Sequence, residues 1–464
     1  MDRRAVRSQG GLLRAGCAVA LLGAVLPASP LVAAETGIGV TAGVGHSDNI
    51  RRSDGAEQSE SIGQLGVNFS VFQQSRRVNA DITGDFSWLN YFDDQYDDEV
   101  VGSFLGDVKL GIVPDRFEWQ FADTFGQATT QPFVVVTPDN RENINYFTTG
   151  PDLIFGMGRS ARVKLQGRYT NVAYESAPLD NDRVSGEGSL IHDFSSASSL
   201  SLNARFEQTD FDDNTLNTDF DNTQAFVRYQ ATLSRTQVGV ELGYTEVELD
   251  AASGGVNSGI DSSMSGVLAR IEVSRRMSPS STLSAALGRE ISNSGDIFRQ
   301  LQQLQSAQVG TQPVQLSSDP FTSQYGTLAW SFSRNRTGFG LSVSRFEEEY
   351  QVQTALNRNR TVFGSYFNRQ MTPSLNFQLS AVQNRESYDV LGNQDFRELY
   401  GTATLAYQIG RRFSLDLQYE RSDRSSDLPG GDYTENRGWI RLHFFAGESQ
   451  ERSSALPTGL GGYR

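Results

Sequence analysis

Cysteine is nearly absent from this 464-residue chain: Cys17 is the only one. A lone thiol excludes an internal disulfide framework and any cysteine-built metal site. There are three histidines, and only two lysines, Lys109 and Lys164. Proline is scarce, at 13 residues, and no Pro- or Gly/Ser-rich linker divides the chain into domains. After residue 34 no apolar stretch reaches the 18 residues that a helical membrane span needs. Positive charge is also short, with 40 Lys and Arg against 55 Asp and Glu, a formal charge of −15. Such a chain lacks the basic footprint of a nucleic-acid binder.

Residues 1–34 read as a cleaved signal peptide. Arg3, Arg4, Arg7 and Arg14 form a basic start, Leu12 to Leu26 a short apolar run, and Val32-Ala33-Ala34 a small-residue cleavage site before Glu35. Cleavage would remove Cys17, four Arg and one Asp, taking the charge from −15 to −18.

From residue 36 to residue 445 the dominant signal is a period of two. Val163, Leu165, Gly167 and Tyr169 alternate with Arg162, Lys164, Gln166 and Arg168. Phe413, Leu415, Leu417 and Tyr419 alternate with Ser414, Asp416, Gln418 and Glu420. This is the pattern of strands with one apolar and one polar face. Nine short turns, from Gln74–Arg77 to Gly410–Arg412, alternate with longer acidic or polar loops such as Phe92–Glu99, Ala128–Arg141 and Asn293–Asp319. Short turns at one end and long loops at the other predict an all-β, transmembrane, antiparallel up-and-down barrel of about 20 strands (18–22) over residues 35–445. Both termini would then lie in the periplasm of a Gram-negative cell, with residues 446–464 a small, polar, Gly-rich disordered tail. A soluble propeller or paired sandwich also alternates, but with shorter strands and comparable loops at both ends.

Gly43-Val44-Gly45-His46-Ser47-Asp48-Asn49-Ile50 resembles the opening of the beta-barrel porin 2 family. Trp119-Gln120-Phe121-Ala122-Asp123-Thr124-Phe125-Gly126-Gln127 and the stretch Thr137 to Pro151 resemble internal segments of the same family. The resemblance implies an outer-membrane barrel associated with exopolysaccharide-biosynthesis and PEP-CTERM loci, and it implies no catalytic residue. The expected partners are outer-membrane lipid and lipopolysaccharide, the barrel-assembly machinery, and a polysaccharide with its periplasmic export partners. No cofactor is expected.

Only Glu35 separates the cleavage site from the first strand, so an N-terminal plug is not expected. The predicted lumen sorts its charges. Asp81, Asp85, Asp107 and Glu118 form an acidic wall on strands three to five. Arg162, Lys164, Arg168, Arg205, Arg228 and Arg270 form a basic wall on strands seven to twelve. Opposed walls would select solutes by charge, and free guanidinium forks would grip the carboxylates of an acidic sugar. Alternatively these charges pair with one another and merely hydrate the interior. In the longest loop, Asp296 to Gln308 predicts a helix capped by Asp296 and ended by Gly310, with Ile297, Leu301 and Leu304 on one face. It is either a constriction element inside the lumen or an external lid. Loops rich in Asp and Asn, Phe92–Glu99 and Thr209–Asn222, could hold Ca²⁺ or simply be solvated. The expected topology keeps His46 at the opposite end from His192 and His443, and those two far apart around the ring. No shared zinc site or catalytic triad is expected, and the chain is not expected to be an enzyme. A structural or adhesive surface barrel, presenting acidic loops without transport, is the competing function.

Overall fold

The structure is a computed structural model and describes residues 34–131, 133–213, 217–250, 263–305, 316–389 and 394–447. The expected leader (residues 1–33), Gly310 and the tail from residue 448 lie outside the described residues. The first half comprises β1 (Glu35–Ser47), β2 (Glu60–Gln74), β3 (Val78–Tyr91), β4 (Glu99–Val113), β5 (Phe117–Thr129), β6 (Arg141–Gly156), β7 (Ala161–Tyr174), β8 (Asn181–Ser195), β9 (Ser198–Phe211) and β10 (Phe220–Thr232). The second half comprises β11 (Thr236–Leu249), β12 (Ser263–Ser278), β13 (Ser281–Ser292), α1 (Ser294–Gln305), β14 (Phe321–Arg334) and β15 (Thr337–Tyr350). It ends with β16 (Arg358–Thr372), β17 (Leu375–Tyr388), β18 (Phe396–Ile409), β19 (Phe413–Ser426) and β20 (Tyr433–Gly447).

Each strand pairs antiparallel with its sequence neighbours, and β1 pairs with β20, which closes a 20-stranded barrel. With strands about 4.8 Å apart and tilted about 40°, such a wall is roughly 40 Å across at the backbone. The strand count and all nine short turns agree with the sequence pattern. The last strand runs two residues further than expected, to Gly447, because Gly37 and Ile38 of β1 pair with Gly447 and Ala446.

Burial is inverted relative to a water-soluble protein. Ile38, Leu65, Leu202, Leu341 and Leu417 are about half exposed on the outer face. Glu60, Glu142, Glu348, Arg358 and Arg360 are almost fully buried on the inner one. On β19 the outward positions are Phe413, Leu415, Leu417 and Tyr419, followed only near the long-loop end by Arg421 and Asp423. Repeated around the ring, this gives an apolar belt of the kind lipid requires.

The apolar core is small and sits inside the long-loop end. Ile50, Ile62, Tyr91 and Trp439 form one cluster. Ala128, Ile144, Tyr146, Val172 and Tyr174 form another, around Phe298 of α1. Each of several hairpins closes there with the same device. The Asp or Asn at the end of the loop accepts the backbone N–H of the aromatic residue that ended the previous strand. Asp180 does so for Tyr174 (2.7 Å), Asp219 for Phe211 (2.7 Å), Asn357 for Tyr350 (2.7 Å) and Asp395 for Tyr388 (2.9 Å). Much of the Asp and Asn density of the loops is thus spent on turn closure. At the seam, β1 presents Gly39, Gly43 and Gly45 inward. A Cβ there would come within 3.0 Å of Asn68, Arg441 and Trp439 respectively, because those side chains lie flat across β1.

The face assignment is testable. Leu417→Arg, in the apolar belt, should cost about 2–4 kcal/mol of unfolding free energy in vesicles. Gln418→Arg, one residue along and beside Glu420 in the lumen, should change it by less than about 1 kcal/mol. Equal costs would mean that the two faces are wrongly assigned.

Candidate functional site: the lumen and its mouth

Strand parity turns Asp81, Asp85, Asp107, Glu118 and all six expected basic residues toward the lumen. The two sets differ in what they meet. Lys164 Nζ lies 3.0 Å from Asp152, and Arg168 pairs with the same carboxylate. Arg162 pairs with Asp193. Arg205 meets Glu207 at 2.5 Å, and Arg228 meets Glu241 at 2.6 Å. Arg270 bridges Glu241 at 3.3 Å and Glu290 at 2.6 Å. Of the two readings of the basic wall, the structure has the paired one: six cations interleaved with five carboxylates. The sequence carried a signal for this. Counting outward from the turn after Thr232 sets Arg228 opposite Glu241, which in turn lies opposite Arg270.

The acidic wall has no such partners. Among the described residues, Asp81, Asp85, Asp107 and Glu118 make no ion pair with Arg or Lys. Asp107 accepts a hydrogen bond from Gln120 Nε2 at 2.9 Å. Asp81 and Asp107 are direct cross-strand neighbours, an arrangement that like charges disfavour. Asp81, Asp85 and Asp107 are exposed to the lumen, where water screens them.

The mouth at the long-loop end is narrowed by two segments. The first is α1, which starts at Ser294, two residues earlier than expected. Asn293, not Asp296, is the cap: its Oδ1 accepts the Asp296 N–H at 3.0 Å, while its Nδ2 donates to Asp296 Oδ2 at 2.8 Å, a reciprocal capping box. The other carboxylate oxygen of Asp296 accepts from Tyr146 Oη at 3.0 Å and lies 3.4 Å from Arg183. Arg183 and Arg299 both stand over the Tyr146 ring. Phe298, fully buried, fills the cluster on the inner wall of β5–β7, with Ile297 packed beside it. α1 thus lies inside the barrel against the wall. Phe298 was missed by the sequence reading, since its partners are about 125–170 positions away. The side chains of Leu301 and Leu304 lie outside the described residues.

The second segment is the loop between β5 and β6. Asn140 folds it, accepting the Gln131 N–H at 2.7 Å and donating to Gln131 O at 3.0 Å and Val135 O at 3.1 Å. The loop crosses the mouth. Phe133 packs edge-on against Tyr388 of β17, 5.0 Å between ring centres. Arg52 donates to Val136 O at 2.7 Å, and Arg424 of β19 to Phe133 O at 3.4 Å.

The histidines are separated as expected, but one sits in an unforeseen string. His443 meets Thr41 Oγ1 at 2.8 Å on one ring nitrogen and Asp416 on the other, and Arg441 lies 3.3 Å from Asp416. Thr41 is mid-strand, where the neighbouring amides are spent on the ladder. Among the described residues no group of three or more His, Asp or Glu is arranged to hold a metal ion.

No protein-family model matches this chain, and no curated protein matches it. Among solved structures it is similar to the siderophore receptor PirA from Pseudomonas aeruginosa, at 13% identity and a TM-score of 0.46, covering 89% of this chain and 80% of that one. It is also similar to the FrpB iron transporter from Neisseria meningitidis, at 8% identity and 0.47, covering 92% and 83%. A third is the ferric-catecholate import receptor Fiu from Escherichia coli K12, at 9% and 0.47, covering 89% and 82%.

Burial alone would raise the Asp296 carboxyl, but Arg183, Arg299 and Arg205 outweigh it and hold its pKa below the usual carboxylate range. A depressed folded-state pKa stabilises docking above the ordinary carboxylate pKa, and the stabilisation is lost as pH falls through the lowered value. A spin label at Gln300→Cys should therefore report a docked helix at neutral pH and a mobile one only in strong acid. Phe298→Ala, which removes the buried ring at a cost of up to about 3–5 kcal/mol, should mobilise the label at neutral pH. A label already mobile in the parent protein would refute docking.

Proposed function

We propose that the chain is an outer-membrane channel whose water-filled lumen passes a hydrophilic solute and whose mouth is narrowed by its own loops. The long loops face the cell exterior and both termini the periplasm. Support for the membrane comes from the apolar belt over a polar interior, which only a lipid solvent rewards. One observation carries the choice of solute: the six cations of the expected basic wall are each matched to a carboxylate, whereas Asp81, Asp85, Asp107 and Glu118 make no ion pair among the described residues. The lumen therefore repels anions at one wall and offers no free guanidinium fork at the other. An uncharged polysaccharide segment, or a cation, fits such a lumen; an acidic sugar polymer fits it poorly. Export of an exopolysaccharide, the role that the resemblance to the beta-barrel porin 2 family implies, is then export of a neutral glycan. Lipopolysaccharide, the barrel-assembly machinery and periplasmic export components are the partners this reading calls for. It assigns the chain no catalysis.

A second reading has its own observation. The helix α1 lies on the inner wall of β5–β7, and the loop through Phe133 runs from β5 and β6 across to β17, so both occupy the mouth. If neither moves, the barrel is a closed platform for surface loops.

Planar-bilayer recording of the refolded mature protein separates the two. The channel reading expects cation-selective conductance that rises on deletion of 295–316. Changing Asp81, Asp85 and Asp107 to Asn and Glu118 to Gln together should shift the reversal potential toward zero. Arg228→Gln, at a paired site, should sharpen the cation preference. No conductance from either the parent or the deletion, with the barrel folded, would leave the platform.

A further inference from the structure

The apolar belt is broken on one side of the barrel by exterior arginines. Arg345 on β15, Arg385 on β17 and Arg397 on β18 face outward in one lateral row, with Thr361 of β16 between the first two. Arg289 of β13 faces outward nearby. Each follows the last apolar position of its strand: Val343, Ala381, Leu399 and Leu287 precede them on the way to the long-loop end. All four are exposed, and among the described residues none makes an ion pair. Arg345 donates to Asn359, at 3.1 Å, and the Arg397 guanidinium lies against the side-chain amide of Gln383. Arg385 and Arg397 are direct cross-strand partners, a like-charge pair that costs stability unless something anionic lies between. Further round the ring, the outward positions toward the long-loop ends of β7–β11 carry Asn171, Asp182, Gln208, Thr223 and Glu246, with no Arg or Lys.

Two open grooves meet at Arg345. One, of about 540 Å³, is lined by Arg345, Asn359, Thr361, Arg385 and Arg397, with Asp395 and Asp427 at its outer rim. The other, of about 390 Å³, has an apolar floor of Ala269, Ile271 and Leu287 below Arg289, Arg345 and Glu347. An apolar slot that rises from the belt into a cluster of guanidinium groups without carboxylate partners matches one kind of occupant: an amphiphile with acyl chains and a phosphorylated head. Arginine is the side chain suited to bidentate phosphate contact.

We propose that the outer wall of β13–β18 is a binding site for the phosphorylated glycolipid of the outer leaflet, with Arg345, Arg385 and Arg397 on its phosphates and its acyl chain along Ala269, Ile271 and Leu287. The site rests on the reading that the long loops face the exterior. Glu347, Asp395 and Asp427, one step further out, exclude a diffuse anion layer and leave the phosphate plane as the attractive one.

The test uses the full mature chain in detergent, with bisphosphorylated lipid A as the probe and heat-modifiable gel mobility as the folding check. Binding should weaken at least tenfold in the triple variant R345Q/R385Q/R397Q, fall with added salt, and fall with dephosphorylated lipid A. Millimolar inorganic phosphate should not displace the lipid. Lipid-free R385Q should unfold no more readily than the parent, since it removes a like-charge neighbour, and this single variant serves if the triple does not fold. Equal binding by the variants, equal binding of dephosphorylated lipid, or displacement by free phosphate would overturn the site. So would efficient disulfide dimerisation of R385C without lipid, which would give the wall to a second copy. Conductance is independent of these readouts. A silent channel with phosphate-dependent binding sinks the transport reading alone, and a conducting channel with indifferent binding sinks this one alone.

Discussion

Every feature of this molecule depends on one constraint: a backbone in lipid has no water to satisfy its N–H and C=O groups, so the wall must satisfy them itself. Twenty antiparallel strands do this only because β1 finds β20. Without that last ladder, two edges would face hydrocarbon unpaired. Closure then fixes the rest. Parity sends every second side chain to lipid and every other one to water. The polar face has nowhere to go but the lumen, where ion pairs such as Arg228–Glu241, Arg358–Glu348 and His443–Asp416 replace the packing that a soluble core would use.

The interior divides along its axis. Toward the short turns it is wide, wet and lined by exposed carboxylates. Toward the long loops it becomes a protein interior of the ordinary sort, with aromatic clusters, buried Arg–Glu pairs such as Arg358 with Glu348 and Glu386, and segments folded in from above. Buried ion pairs of this kind contribute little net stability, because desolvation offsets their attraction. They do impose geometry, and here they hold the ends of β15–β17, where Tyr388 receives Phe133.

Strands and turns were legible because both signals are local: alternation within a dozen residues, and Gly, Ser, Asn or Asp at the bends. The hairpin registers were legible too, since a turn position fixes every pair along its hairpin, and Arg228 with Glu241 could have been read that way. For the inward row of cations two readings stood open, free forks or charges paired with one another, and the registers pair them. The helix was found but its cap misassigned: Asn293 and Asp296 are both good capping types, and only the hydrogen bonds decide between them. What no local pattern could reveal was the docking of Phe298 on Val172 and Tyr174 or the reach of Phe133 to Tyr388, for these contacts join distant parts of the chain. The exterior arginines occupy an intermediate position: each breaks the apolar parity of its strand, but only the assembled ring shows that they share a height.

The seam between β1 and β20 has a directional character. Gly39, Gly43 and Gly45 leave Thr41, bonded to His443, as the one side chain among them on the inner face of β1, and Arg441 and Trp439 of β20 lie across the last two glycines. Zipping the two strands together therefore freezes almost no rotamers on the N-terminal strand and several on the C-terminal one. The first strand made is a smooth rail, and the last carries the latch, so a newly folded wall can slide into register before any side chain commits it.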